Sequence, residues 1–508
     1  MAVTILFLII FFAIMISVGL YCRKRSTDVD GFVLAGRSIG PWMTAFAFGT
    51  SYFSAVIFVG YAGQFGWNFG LASTWIGLAN CLIGSLLAWK ILGRRTRIVS
   101  QKLNCRTMPD FFGRRYDSQA LRLTAAGIVF VFLIPYTASL YNGLSSLFSL
   151  AFDVRYFWCI LVMAVLTGIY VLFGGYMATA MNDFIQGIIM LFGIIAVVAA
   201  VLAVNGGLAS AVTQLAGIPA PEGVRAGAYA SALGTDPLSL LFVVVLTSMG
   251  TWGLPQMVGK FYSIRSEGDI RKGTIISTLF ALIVAGGCYF LGGFGRLYDV
   301  DVASVGFDRI IPTMLMSLNK PVIISLVIVL VLAASMSTLS SLVLTSSSTL
   351  VLDLFAPLKK KHPFSAKGKV VVMRLFIVFF IVVSAVLAVL KEAFGFTFIA
   401  QMMGVSWGAL AGAFLAPFLY GLYWKKTSRA SVWTCFFFAV GVMVIQMIVS
   451  LGHFTMPGVL GYLFASSIRS GSIAIVGGLV IVPVVSVFTQ AADRVLLEED
   501  ISLSPSVG

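Results

Sequence analysis

Long runs of apolar residues alternate with short polar connectors from one end of the chain to the other. Crossing the hydrocarbon core of a bilayer takes an α-helix of about 20 residues. Thirteen stretches of roughly that length are centred near residues 13, 52, 81, 136, 165, 193, 247, 285, 335, 380, 410, 440 and 480. No connector is long enough for a second globular domain, so the pattern predicts one polytopic all-α membrane domain over residues 1–508. The first stretch, about residues 3–22, has no basic start and no small-residue cleavage site, and runs straight into Arg23-Lys24-Arg25. It reads as a retained helix, not a signal peptide.

Two of the runs are interrupted. One holds Phe48-Gly49-Thr50-Ser51-Tyr52-Phe53-Ser54-Ala55; the other holds Thr247-Ser248-Met249-Gly250-Thr251-Trp252-Gly253-Leu254-Pro255-Gln256. Lipid cannot satisfy the polar groups of a broken backbone, so such breaks belong where protein or a watery cavity surrounds them. They stand five helices apart, as the first members of two five-helix halves would, and paired breaks at matching positions point to the midplane site of a transporter. Glycine clusters that merely let helices pack closely are the alternative.

Another run ends in hydroxyls. Residues 333–353 read AASMSTLSSLVLTSSSTLVLD, in which Ala334, Ser337, Thr338 and Ser341 fall on one helical face. Uncharged hydroxyls backed by main-chain carbonyls suit a hard monovalent cation, which takes oxygen ligands. An opened turn near Thr50–Phe53 would add free carbonyls and complete a five-oxygen cage without a formal charge, weak enough to release its ion. The same hydroxyls can instead bond their own i−4 carbonyls or join helices. Asp183, in Ala178-Thr179-Ala180-Met181-Asn182-Asp183, begins the sixth run. A carboxylate there is a functional candidate, for ion coordination or proton relay, or else an N-terminal helix cap. Asp353 reads as a boundary residue at the end of the hydroxyl-rich run.

Composition narrows the partners. Only 10% of residues are charged, against about 25% in soluble proteins. The net charge of +15 follows topology and does not point to nucleic acid. With the N-terminus outside and thirteen alternating helices, only Arg155, Arg225, Arg296, Arg309, Lys320, Lys391 and Arg469 of the 34 basic residues lie outside. The inner segments then carry Arg23-Lys24-Arg25, Arg94 to Arg97, Lys102 to Arg122, Lys260 to Lys272, Lys359 to Arg374 and Lys425-Lys426, with the tail of Arg494 and Glu498-Glu499-Asp500. That bias predicts a multi-pass plasma (inner) membrane protein with a cytoplasmic C-terminus. Contact with anionic lipid is a minor role for those loops.

Other chemistries find little support. Six cysteines are scattered without CxxC spacing, and His362 and His453 sit in connectors, so neither a disulfide framework nor a zinc site is suggested. There is no glycine-rich phosphate loop, no nucleophile–base pair for an enzyme, no filter loop for a channel, and no soluble domain for a sensor. Catalytic residues: none.

The residues also resemble those of a known family. Phe32-Val33-Leu34-Ala35-Gly36-Arg37-Ser38-Ile39-Gly40-Pro41-Trp42, Gly174-Gly175-Tyr176 with Asn182-Asp183-Phe184-Ile185-Gln186, Ala334 to Ser341, and Gly412 to Lys425 are similar to segments of the sodium:solute symporter family. That family includes proline, pantothenate, sialic acid, monocarboxylate and sodium–glucose carriers. The resemblance, spread over about residues 30–430, implies a leucine-transporter-like fold of about thirteen helices. Its parts are an extra first helix and loop (1–30), inverted five-helix repeats at 40–205 and 236–424, and two C-terminal helices (430–490). It implies Na+-coupled symport of a small organic solute by alternating access, for which a monomer suffices. The sodium site would fall on the carbonyls of Thr50, Phe53 and Ala334 and the hydroxyls of Ser337 and Thr338. Asp183 and Ser341 would hold a second sodium. Where the family's proline carriers have an aspartate this chain has Tyr52, and the arginine of the sialic acid carriers is missing after Arg122.

With neither a fixed cation nor a fixed acid evident in the pocket, a neutral, zwitterionic or modestly charged solute, held by hydrogen bonds and aromatic walls, is expected. The lining candidates are Tyr52, Ser54, Gln64, Trp75, Tyr136, Asn142, Trp252 and Gln401. A proton-driven carrier using Asp183 is the near alternative, and a channel a distant one.

Overall fold

The computed structural model describes residues 2–23, 28–152, 155–318, 320–358, 365–390, 399–452, 454 and 456–489. Lys24, Arg25, His362, Lys391, His453 and the tail with Arg494 lie outside these residues. Every described element is helical, apart from one isolated parallel bridge between Ile39 and Ile264.

Helix α1 (Ala2–Cys22) comes first. Next are α2 (Pro41–Tyr52), α3 (residues 56–69) and α4 (residues 74–102), joined to α3 by a tight turn. After the short α5 (Met108–Arg115) and the long α6 (Gln119–Phe152), the chain runs through residues 156–204, bent into α7 (156–174) and α8 (176–204). Then come α9 (Pro237–Met249), α10 (Pro255–Ser263), α11 (Glu267–Gly292) and α12 (Pro321–Thr349), which runs on with widened turns to Leu358. The last four are α13 (Ala366–Val389), α14 (Ile399–Tyr423), α15 (Arg429–Leu451) and α16 (Ser467–Phe488).

Ten described helices are long and apolar enough to cross a membrane. The expectation of thirteen differs for three local reasons. The run near residue 52 breaks, and its second half continues into α4. The runs near 165 and 193 join across a bend, and the run near 247 is split into two short helices.

Sequence explains two of these irregularities. Pro255 opens α10 at its first position and holds Leu254 in an extended conformation (φ −82°, ψ 122°), so α9 cannot continue into α10. The bend between α7 and α8 is at Gly175, whose φ of 55° and ψ of −152° lie in a region open essentially to glycine alone. A methyl group there would also meet the ring and carbonyl of Phe32 at 2.9 Å. Gly175→Ala is therefore expected to cost about 1–3 kcal/mol, read as a lower unfolding midpoint of the purified protein. An unchanged midpoint would show that the bend needs no glycine.

α12 and α14 are the most enclosed of the long helices, whereas α1, α13, α15 and α16 keep wide apolar faces outward, as lipid-facing helices do. α1 is tied to α8 by Asn182 Nδ2, which donates to Met15 O at 3.4 Å, and to α12 by a 2.8 Å bond between Thr4 and Ser325. The centre of the bundle is thus where α2, α8, α10 and α12 meet.

Candidate ion and solute site

The first break falls at Phe53–Ser54, at the end of the expected turn. Gly49 O still accepts from Phe53 N at 3.1 Å, closing the last regular turn of α2. Phe53 then turns extended (φ −88°, ψ 108°), which carries the following amides away from the carbonyls of Thr50 and Ser51. Freed carbonyls at a helix end need other partners. Here the partners are the hydroxyls of α12.

Ser337 Oγ donates to Thr50 O at 3.1 Å and to Ala334 O at 3.0 Å. Thr338 Oγ1 lies 3.2 Å from Thr50 O, 3.4 Å from Ser51 O and 3.1 Å from Ala334 O. The hydroxyls thus bond their own helix and also join it to the opened turn. Thr50, Ser337 and Thr338 have no exposed surface. Phe53 and Ala334 line one small cavity beside the cage, of about 10 Å³. Oxygens 3.0–3.4 Å apart have the spacing they take around a hard cation held at roughly 2.4 Å from each. Among the described residues no cluster of His, Cys, Asp or Glu offers a rival metal site.

Asp183 and Ser341 are also brought together, but not with an open site between them. Lys260 Nζ stands 3.4 Å from Asp183 Oδ2 and donates to Ser341 Oγ at 2.9 Å, and Ser341 shares a 2.8 Å bond with Ser51. One expectation is corrected here: Lys260 is not a loop charge that sets orientation but a buried cation paired with Asp183. Nor is Asp183 a cap: it lies two turns beyond the bend at Gly175, inside α8. The signal for Lys260 was a lone lysine in a largely apolar segment five residues after Pro255. Asp353 is likewise more than a boundary residue. It is fully buried, accepts from Thr107 Oγ1 at 2.5 Å, and pairs with Arg122 at 2.8 Å.

A second polar group surrounds the first break. The Tyr52 ring lies 5.5 Å from that of Trp407, and Tyr136 meets Trp407 edge-on at 6.0 Å. Tyr52 Oη lies beside Thr247 and Asn80, and Tyr136 Oη beside Trp407 and Ser54. Tyr52 Oη, Ser54 Oγ, Tyr136 Oη and Trp407 Nε1 are buried without a hydrogen bond of standard geometry. Ser248 Oγ donates to Asn80 Oδ1 at 2.8 Å, while Asn80 Nδ2, near the Tyr52 and Tyr289 hydroxyls, makes no hydrogen bond of standard geometry. Buried polar atoms left unpaired cost roughly 1–3 kcal/mol each. A bound solute would supply what they lack. Sequence reasoning missed Trp407 and Asn80 because nothing in their own helices marks them.

The other lining candidates are dispersed. Trp75 is half exposed and donates to Ala232 O at 2.9 Å, so it anchors a connector. Trp252 Nε1 is committed to Ile83 O at 3.0 Å. Asn142 Nδ2 faces Met402 Sδ at 3.6 Å, next to the half-buried Gln401. Gln64 opens instead on an outer cavity of about 370 Å³ with Tyr229, Asp236, Arg296 and Arg469. On the opposite face, a narrow cleft of about 40 Å³ runs from Arg106 to Lys260 and Ser341. Arg106 is bonded to Asp30 at 2.6 Å on that face and holds the Asp30 carboxyl below its usual range. A larger groove, of about 510 Å³, lies between α7 and α13 and is lined by apolar side chains alone. It offers nothing to orient a polar solute and suits lipid.

The chain is similar to known transporters in sequence and in fold. The sodium:solute symporter family matches residues 32–436. A sodium/proline symporter 2 from Staphylococcus saprophyticus is 28% identical over 435 residues, covering 84% of this chain and 82% of its own. The high-affinity proline transporter PutP of Bacillus subtilis is 26% identical over 490 residues, 96% of this chain and 98% of that protein. The substrate-bound, outward-open structure of a Na+-coupled sialic acid symporter superposes with a TM-score of 0.75 at 18% identity, over 97% of this chain and 99% of its own.

Proposed function

This chain belongs to the sodium:solute symporter family, and from that premise we propose that its sodium sits in the cage of Thr50, Phe53, Ala334, Ser337 and Thr338. As a sodium symporter of a small solute in a multi-pass membrane protein, it moves an ion down its gradient to carry an organic molecule. The observation that supports the cage is the convergence of Ser337 and Thr338 on the freed carbonyl of Thr50.

In this reading the chain crosses the membrane thirteen times, with the broken pair α2–α3 and the broken pair α9–α10 each making one pass. Residues 40–205 and 236–424 are the inverted repeats. The face of Arg94, Arg97 and Arg106 is cytoplasmic and the Gln64 cavity is the outer vestibule. The wide vestibule and narrow inner cleft fit a state that loads from outside. Sodium binding favours that state because it holds α2 against α12, and the solute pocket lies on the same break, so each ligand shifts one equilibrium.

The solute is held by Tyr52, Ser54, Tyr136, Trp407 and Asn80. Hydroxyl, indole and amide groups without a charge suit a small neutral or zwitterionic solute. Tyr52 in the place of the proline carriers' aspartate argues against a proline-type pocket, although the relatives named above are proline carriers.

A thermal-unfolding screen of the purified protein against proline, sialic acid, monocarboxylates and neutral sugars, with sodium or choline, tests the reading. The solute is expected to raise the midpoint only with sodium present. Stabilisation equal in choline, or uptake into proteoliposomes driven by a pH gradient alone, would favour proton coupling instead. With the solute in hand, Tyr136→Phe is expected to raise its KM about 10–100-fold, the loss of one buried hydrogen bond. Sodium affinity should stay unchanged. Trp75→Phe is expected to leave both unchanged, and a large KM effect there would place the pocket elsewhere.

A further inference from the structure

One buried charge pair plays no part in the function proposed above. The Lys260 ammonium is 3.4 Å from Asp183 Oδ2 and 2.9 Å from Ser341 Oγ, and the Tyr176 ring covers it with the centroid at 5.1 Å. Three elements build this arrangement: α10 supplies the lysine, α8 the aspartate and α12 the serine. Both charged side chains are sealed, at 2% and 0% exposure. Asp183 is the acid paired with Lys260, and among the described residues no second acid is paired with either group. The other side chains lining the cleft beside Lys260, including Gln256, Ser348 and Thr349, are uncharged until Arg106 at its far end.

A lysine ammonium is a compact monovalent cation that takes oxygen partners, as a sodium ion is. One carboxylate compensates one such charge, and burying a second beside it would leave that charge unpaired. The oxygens facing Lys260, from Asp183 and Ser341, are those that would otherwise hold a second sodium. We infer that Lys260 is a tethered cation filling the second ion position, so that this chain binds and carries a single sodium per cycle. The inference rests on the sodium-symport reading and deepens it by fixing the stoichiometry.

A consequence follows for coupling. With one sodium per solute, the attainable solute gradient follows the first power of the sodium electrochemical activity ratio and not its square. Ser341 also bonds Ser51, the neighbour of the cage residue Thr50. The tethered charge therefore stays in contact with the segment that sodium closes.

The test is equilibrium binding of radioactive sodium to the purified full-length protein in detergent, which needs no knowledge of the solute. Wild type is expected to bind one ion per chain. Lys260→Ala should bind two, and adding Asp183→Asn to it should return the count to one. A wild-type count of two overturns the inference while leaving sodium symport intact, and this result needs no variant to fold. A wild-type count of zero overturns the cage itself. A folded Lys260→Ala protein that still binds one ion overturns the displacement by lysine. Lys260→Gln, which keeps a hydrogen-bonding head without the charge, serves if the alanine variant does not fold; it too should bind a second ion, and a count of one counts against the inference.

Discussion

Replacing both Ser337 and Thr338 with alanine is expected to abolish sodium-driven uptake. Each hydroxyl faces the freed carbonyl of Thr50 from within hydrogen-bonding distance, at 3.1 and 3.2 Å, so the double change removes both side-chain oxygens and leaves only carbonyls. A hydrogen bond or ligand contact to a charged partner contributes about 1.5–3 kcal/mol. Losing two lowers sodium affinity on the order of 10²–10⁴-fold, at 1.4 kcal/mol for each factor of ten. The fold should tolerate the change. The hydroxyls divide their bonding between the Ala334 carbonyl of their own helix and the Thr50 carbonyl, and the back-bonds add little to helix stability. Sodium binding to the variant, with thermal unfolding as a check on folding, measures the effect. Thr338→Ser keeps the oxygen and is expected to keep sodium dependence. Uptake that stays sodium-dependent in the double variant would move the ion site elsewhere.

Removing the Arg122 guanidinium is expected to produce the largest loss of stability. Arg122 joins the start of α6 to two acids from other elements: Asp110 in α5 at 3.1 Å and Asp353 beyond α12 at 2.8 Å. It also donates to Leu352 O at 3.1 Å. Asp110 keeps a second partner in Arg114 at 2.9 Å, but Asp353 is left with only the Thr107 hydroxyl. Breaking a buried pair from one side strands a charge, at a cost of about 3–5 kcal/mol. Arg122→Leu should therefore unfold well below wild type. Adding Asp353→Leu should recover much of that loss, because the stranded charge goes with it. If the single change were silent, or the double change worse than the sum of the two single ones, the pair would not be what holds α5, α6 and α12 together. Because the network sits on the face of the narrow cleft, the same variants will also report on closure there.

Much of the candidate ion site was legible before any coordinates. The spacing of Ala334, Ser337, Thr338 and Ser341 puts them on one face of α12 wherever that helix lies, because the period of a helix is fixed by its backbone. The two breaks were visible in their Gly, Ser, Thr and Pro content, and Pro255 accounts for the second in local terms alone. The solute group was legible only in part. Tyr52, Ser54 and Tyr136 do gather, whereas Trp75 went to the surface and Gln64 to a separate cavity. Whether an aromatic residue anchors an interface or lines a pocket depends on the azimuth of its helix, which a run of apolar neighbours does not encode.

Lys260 shows the boundary most clearly. In the linear chain it stands close to Arg265 and the charges of residues 267–272 and reads as one more inner-loop cation. In three dimensions Pro255 starts a new helix that carries it inward, to an aspartate 77 positions earlier and a serine 81 positions later. Periodicity, length and breaker residues are local properties, so they were enough to define an all-helical membrane carrier and the oxygen-rich face of its ion site. Which charges neutralise one another, and which polar atoms are left wanting a ligand, are matters of distance between remote segments. Packing alone sets those distances, and so packing decided the partner of Asp183 and the membership of the proposed solute pocket.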